Sequence, residues 1–132
     1  MPVTDLVIGL GSRPGASERA VREVVAELLA RHGLVAFSVL AYATLDSRAA
    51  EPGLRAATAG AELLGYPARV LAAVEVPTPN RRVAHAVGTA SVAEAAALHA
   101  ARCLAGAAGT AELVARKLVG AGVTAAAARI RS

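Results

Sequence analysis

The first apolar run of the chain, Leu6-Val7-Ile8, is unbroken and leads into a glycine, the pattern of a strand buried on both faces. A strand is therefore expected over Asp5–Leu10. The overlapping stretch Gly9-Leu10-Gly11-Ser12-Arg13-Pro14-Gly15 is too rich in glycine for regular structure and reads as a loop. Ser17 stands where an N-cap belongs, with Glu18 in the first turn. Val21, Val24, Val25, Leu28 and Leu29 recur at helical spacing, which predicts a helix over Glu18–Arg31 ended by Gly33. A second strand is expected over Val39–Leu45, then a polar connection over Asp46–Pro52. A short helix over Gly53–Leu64, closed by Gly65, and a brief third strand over Ala68–Leu71 follow. The prolines in Val74-Glu75-Val76-Pro77-Thr78-Pro79 hold their predecessors away from helix, so this run is extended. Arg81–Val87 reads as a helical turn ending at Gly88. Ser91, with Glu94 three residues on, makes a capping-box pattern before an alanine-rich helix to about Leu104. Glu112–Val119 and Val123–Ile130 complete the pattern as a hairpin around Gly120-Ala121-Gly122.

Strands alternating with helices and closed by a hairpin point to the α/β class. The expected fold is a single three-layer domain over residues 1–132, with a mixed, mostly parallel sheet and a C-terminal β-hairpin. Composition changes this picture little but narrows the partners. Hydrophobic residues make up 55% and mean hydropathy is +0.50, an excess carried mostly by alanine. No stretch approaches the roughly 18 to 20 apolar residues a spanning helix requires; Gly120–Ala128 is too short and contains Thr124. Asp5 and Arg13 bracket the only early apolar run, so no leader pattern is present and a cytoplasmic protein without membrane contact is expected. The lone Cys103 leaves no intrachain disulfide and is expected as a small core residue. One Phe, two Tyr and no Trp imply an aliphatic core and argue against single-stranded nucleic acid, which is bound on stacking platforms. The net charge of +4 suits an anionic partner without naming it.

The strand–loop–helix unit at the N-terminus is the strongest local signal for chemistry. Gly9, Gly11 and Gly15 permit close backbone approach, the helix beginning after Ser17 attracts an anion, and Arg13 adds a fork suited to carboxylate or phosphate. The spacing is not that of a dinucleotide fingerprint, and no Gly-Lys-Ser/Thr follows. The plainer alternative is a tight strand-to-helix turn. Thr44-Leu45-Asp46-Ser47-Arg48 leaves the second strand at the end where such sheets line ligand crevices, so Arg48 would meet an anion jointly with Arg13. Otherwise it is a solvated connection. Ser91 and Glu94 are accounted for by the capping box, and Lys117 and Thr124 face each other in only one register of the hairpin. His32, His85, His99 and Cys103 lack metal-ligand spacing. His99 and Cys103 stand one helical turn apart but are only two ligands, so neither metal nor cofactor is expected. No Ser-His-Asp arrangement and no paired carboxylates are evident, and catalytic residues stay unassigned.

Five blocks, in order and spacing, resemble the CobE family, which is similar to the C-terminal domain of the CbiG proteins of cobalamin synthesis. They are Gly9–Gly15, Leu45–Leu54, Val74–Pro79, Gly88–Leu98, and Lys117 with Val123-Thr124, so the resemblance covers nearly the whole chain. It implies an α/β domain handling a precorrin near the ring-contraction stage. CbiG-type proteins open the lactone ring of a cobalt-precorrin and release acetaldehyde. This chain looks like the stand-alone form of their C-terminal domain, since only Met1–Thr4 precede the first strand. The candidate ligand contacts are Gly11, Ser12, Arg13, Gly15 and Ser17 in the first block and Thr44 and Arg48 at the second. Ser91 and Glu94, then Lys117 and Thr124, complete the set. A corrin precursor carries several carboxylates around an apolar ring; Arg13, Arg48 and Lys117 suit the rim, valines and leucines the ring. Two readings follow: a carrier passing a labile precorrin to other pathway enzymes, or a hydrolase opening a lactone. A subunit contacting another pathway protein is a third. Arg48 stands where the family often has lysine, which keeps the charge but gives up proton transfer, and Asn80 stands where serine commonly follows the proline. Both departures are easier to accept for anion binding than for catalysis.

Overall fold

The computed structural model describes residues 5–76, 91–107 and 109–131. The expected extended run beyond Val76, the turn at Arg81–Val87 and the block start at Gly88 lie outside the described residues. The first strand, β1 (Leu6–Ser12), is followed by helix α1 (Glu18–Arg31) and strand β2 (Val39–Leu45). A single 3₁₀ turn at Asp46–Arg48 leads to α2 (Pro52–Ala57), β3 (Glu62–Tyr66) and α3 (Ala68–Ala72). The chain ends with α4 (Val92–Ala105), β4 (Thr110–Val119) and β5 (Val123–Arg131).

Three sequence expectations are corrected. β1 runs two residues past Leu10 because its ladder with β5 continues to Ser12 opposite Val123, so Gly9 and Gly11 are strand residues rather than loop. The helix expected over Gly53–Leu64 stops at Ala57. Thr58 turns its hydroxyl back to Leu54 O at 2.8 Å, Gly60 takes a positive φ of 99°, and Leu63-Leu64 pair with β2 as strand β3. Ala68–Leu71 is a helical turn, not a strand. Pro67 is preset in an extended conformation as its N-cap and accepts N–H bonds from Val70 and Leu71.

The five strands form one sheet in the order β3-β2-β1-β5-β4. β1, β2 and β3 pair in parallel, β5 is antiparallel to both β1 and β4, and four strands therefore point the same way. The terminal hairpin is β4–β5. Alternation along β1 divides the interior into two cores. Leu6, Ile8 and Leu10 pack with Val21, Val24 and Leu28 of α1 and Leu54 of α2. Val7 packs on the opposite face with the alanines of α4 and Leu71 of α3. The result is a three-layer α/β domain. Alanine is needed on the second face because α4 lies unusually close to the sheet: a Cβ at Gly9 would sit 2.7 Å from Ala97 N. Ala95, Ala96, Ala97, Ala100 and Ala101 of the helix, and Ala126 and Ala128 of β5, are fully buried.

Candidate functional site

β1 and β2 are parallel neighbours, so the segments leaving them emerge at one end of the sheet. There the two glycine-containing blocks are stitched together. The Nε of Arg48 donates to Ser12 O at 3.0 Å, and the N–H of Gly15 donates to Glu51 Oε1 at 2.7 Å. Gly53, lacking a Cβ, lies directly against Ala16 O. From below, the Thr44 hydroxyl, fully buried, donates to Leu10 O at 2.7 Å. From the hairpin turn, Gly122 O accepts the N–H of Arg13 at 3.1 Å. Ser12, Arg13, Gly15, Thr44 and Arg48 are therefore brought together as the sequence suggests.

Arg13 and Arg48 share this end with the carboxylates of Asp46 and Glu51. Arg19, Arg22, Arg31, Arg129 and Arg131 each face a carboxylate within ion-pair distance. Arg13, which is exposed, and Arg48, which is half-buried, face none among the described residues, as Arg55, Arg69, Arg102 and Arg116 face none elsewhere. The Ser12 hydroxyl oxygen is buried without a hydrogen-bond partner. Glu51 was not singled out by sequence reasoning. It falls there within the polar connection Asp46–Pro52, and only the through-space contact to Gly15, 36 positions away, gives it a partner.

The remaining candidates form a second group, under the N-terminus of α4. Ser91 Oγ accepts the N–H of Glu94 at 3.3 Å, the expected cap. The fully buried Glu94 carboxylate also reaches across to β4, where Oε2 accepts the N–H of Lys117 at 2.8 Å. The register of β4 shifts between Ala115 and Leu118, so an irregular strand segment finds there the acceptor its ladder does not supply. The one register in which Lys117 and Thr124 would face each other is not the one formed: Val119 is the residue opposite Thr124. The Thr124 hydroxyl donates to Gly11 O at 3.4 Å and links the two groups. Ser17 stays local, its Oγ accepting the N–H of Ala20 at 3.1 Å as the cap of α1.

Cys103 is exposed, not a core residue, because it follows the buried face of α4 on the solvent side. Its Sγ lies 3.6 Å from His99 Nε2, and the His99 ring meets Tyr66 edge-on at 4.6 Å. Burial, helped by Arg102, holds the His99 imidazole below its ordinary value; burial, reinforced by Cys103 and Glu62, pushes the Tyr66 hydroxyl up. Burial also raises Tyr42, with Arg22 opposing. Among the described residues no three His, Cys, Asp or Glu side chains are grouped to hold a metal, and no helix is long and apolar enough to cross a membrane. A cleft of about 450 Å³ lies apart from the stitched sheet end, lined by Arg55, Thr58, Ala59, Ala61, Glu62 and Leu63.

Comparison with known proteins bears on this arrangement. The chain matches the family described as cobalamin synthesis G C-terminus over residues 6–128. It is similar to the crystal structure of CobE, a protein from the cobalamin (vitamin B12) biosynthetic pathway, with 32% identity, 98% of each chain covered and a TM-score of 0.84. It is also similar to the cobalamin biosynthesis protein chiG from Agrobacterium tumefaciens str. C58, with 35% identity over 94% of this chain and 97% of that one and a TM-score of 0.65. No curated protein matches.

Proposed function

The chain belongs to the cobalamin synthesis G C-terminus family and so to cobalamin biosynthesis, and we propose that its part there is to bind a polycarboxylate precorrin-type intermediate as a carrier or accessory protein. The observation that carries this reading is the pair of arginines, Arg13 and Arg48, gathered at the carboxyl end of two parallel strands without carboxylate partners among the described residues. Among the described residues Arg48 is held by one nitrogen, which leaves the rest of its guanidinium fork for a ligand carboxylate. Each such exposed pair contributes only about 0–1 kcal/mol, so affinity requires a ligand with several carboxylates and an apolar body. A precorrin is such a ligand.

Among the described residues, the Thr44 and Thr124 hydroxyls donate to backbone carbonyls of β1 and the Ser17 hydroxyl caps α1, contacts that fit a binding role. Calorimetric titration tests the proposal: hydrogenobyrinic acid binds more tightly than ATP or NAD. Tighter binding of either nucleotide than of every corrinoid would overturn it. In the same assay series, a lactone-bearing cobalt-precorrin keeps its absorption spectrum over time in the presence of the protein. A time-dependent change would move the assignment to lactone hydrolysis.

A further inference from the structure

We infer that Glu51 is an internal stand-in for one carboxylate of the ligand, holding the Gly15 N–H until a ligand carboxylate takes its place, and that it thereby restricts the site to polycarboxylates. The inference rests on the binding reading above. Its starting point is a residue that does not do the local task its position offers. Glu51 is the N-cap residue of α2, yet its side chain makes no cap hydrogen bond to that helix. Instead the carboxylate crosses to the glycine loop and accepts the N–H of Gly15 at 2.7 Å, the short distance of a charge-assisted bond.

The surroundings are those of an anion site with its anion supplied from within. Gly15 is exposed, and a Cβ built on it would meet nothing within 4 Å, so there is open space beside the residue whose N–H Glu51 holds. Glu51 reaches it without forming an ion pair with Arg13 or Arg48 among the contacts of the structure. The two cations of the same stitched loops are therefore not held in direct ion pairs by it. The Ser12 hydroxyl, between Arg13 in sequence and Arg48 in space, is unpartnered. An incoming carboxylate meets two arginines, but it also meets the Glu51 charge and finds the Gly15 donor occupied. Exchanging one carboxylate for another on Gly15 changes little in itself. The exchange is driven only when further carboxylates of the same molecule engage the arginines. A ligand with one carboxylate, or none, gains nothing by displacing Glu51.

The test is titration of wild type, Glu51→Gln and Arg48→Ala with hydrogenobyrinic acid, and with cobinamide, whose peripheral carboxylates are amides. Glutamine keeps an oxygen for Gly15 but removes the charge. Glu51→Gln is expected to bind hydrogenobyrinic acid about three- to tenfold more tightly, the scale of one like charge removed at a partly solvated site. Cobinamide binding is expected to be the same in both proteins. A measurement that needs no variant accompanies it: on adding hydrogenobyrinic acid to the wild type, the Gly15 amide resonance shifts, since its acceptor changes. Unchanged or weaker affinity in Glu51→Gln, with Arg48→Ala impaired, would leave the binding site standing and reduce Glu51 to a loop staple. A Gly15 resonance unmoved at saturation would also overturn the inference. Wild type that binds no hydrogenobyrinic acid would overturn the functional reading and this inference together.

Discussion

At the residue scale, the same amino acid does different work at neighbouring positions. Gly9 and Gly15 look alike in sequence as parts of one glycine-rich run. In the structure Gly9 lies beneath the backbone of α4, where a Cβ would sit 2.7 Å from Ala97 N, whereas Gly15 has open space and a φ of 79°. Gly9→Ala forces backbone apart and is expected to cost about 3 kcal/mol or more, at the upper end for overpacking. Gly15→Ala meets only the left-handed backbone penalty, about 1–2 kcal/mol. Urea unfolding midpoints at unchanged m-value check both. His99 supplies a pH dependence. Its folded imidazole titrates below its ordinary value of 6.5, so as pH falls through that window the unfolded chain takes up the proton first and stability declines. Between pH 7 and pH 5 the wild type is expected to lose more stability than His99→Gln, measured by denaturant unfolding at each pH. A smaller loss in the wild type would mean the imidazole is stabilised as a cation. The placement of Arg13 and Arg48 at one end of the sheet was legible in the sequence because each follows an apolar strand. Glu51 was not, because a contact spanning 36 positions leaves no periodic trace.

At the scale of elements, long periodic segments were readable and short ones were not. α1 occupies Glu18–Arg31 as its apolar spacing requires, with Ser17 capping it through Ala20 N. β2 and the terminal hairpin also lie where expected. The segment from Gly53 to Ala72 misled because its apolar pairs fit either period. Leu63-Leu64 pairs with β2 as an edge strand, and Pro67 starts a turn of helix where Val70-Leu71 suggested a strand. Glu94 shows the limit of local motifs in a different way. The capping box explains its position after Ser91, but its buried carboxylate also joins α4 to the irregular part of β4 through the N–H of Lys117. Glu94→Ala removes that acceptor from a buried interface and leaves a cavity. The expected loss is about 2–4 kcal/mol, with Glu94→Gln losing less because an amide oxygen remains. Equal losses in thermal or urea unfolding of the two variants would show that the charge, and not the acceptor, is what the interface requires.

At the scale of the whole molecule, the topology brings the charges of separate segments toward one end of the sheet. β1, β2 and β4 all point the same way, so Arg13, Arg48 and Lys117 lie toward one end of the sheet. Lys117 is two strand spacings from β1, about 10 Å, a spread that suits the rim of a macrocycle better than a single phosphate. The structure also separates the two arginines in a way their sequence positions do not. Arg13 is exposed and its side chain makes no hydrogen bond among the described residues, whereas Arg48 donates to Ser12 O and braces the end of β1. Arg13→Ala is therefore expected to leave stability within about ±0.5 kcal/mol, while Arg48→Ala costs about 1 kcal/mol, the net worth of its hydrogen bond. For hydrogenobyrinic acid, each substitution is expected to weaken binding by up to about fivefold, from the about 0–1 kcal/mol of one exposed charge pair. The loss is larger at low salt, where attraction between exposed charges is least screened. If the two guanidinium groups share one ligand carboxylate, the double variant departs from additivity. A double-mutant cycle by calorimetry, with thermal melting alongside, separates the bracing from the binding contribution. Wild-type affinity in both single variants would take the stitched sheet end out of the site, and Lys117→Ala, beside the hairpin, would then be the variant expected to weaken binding.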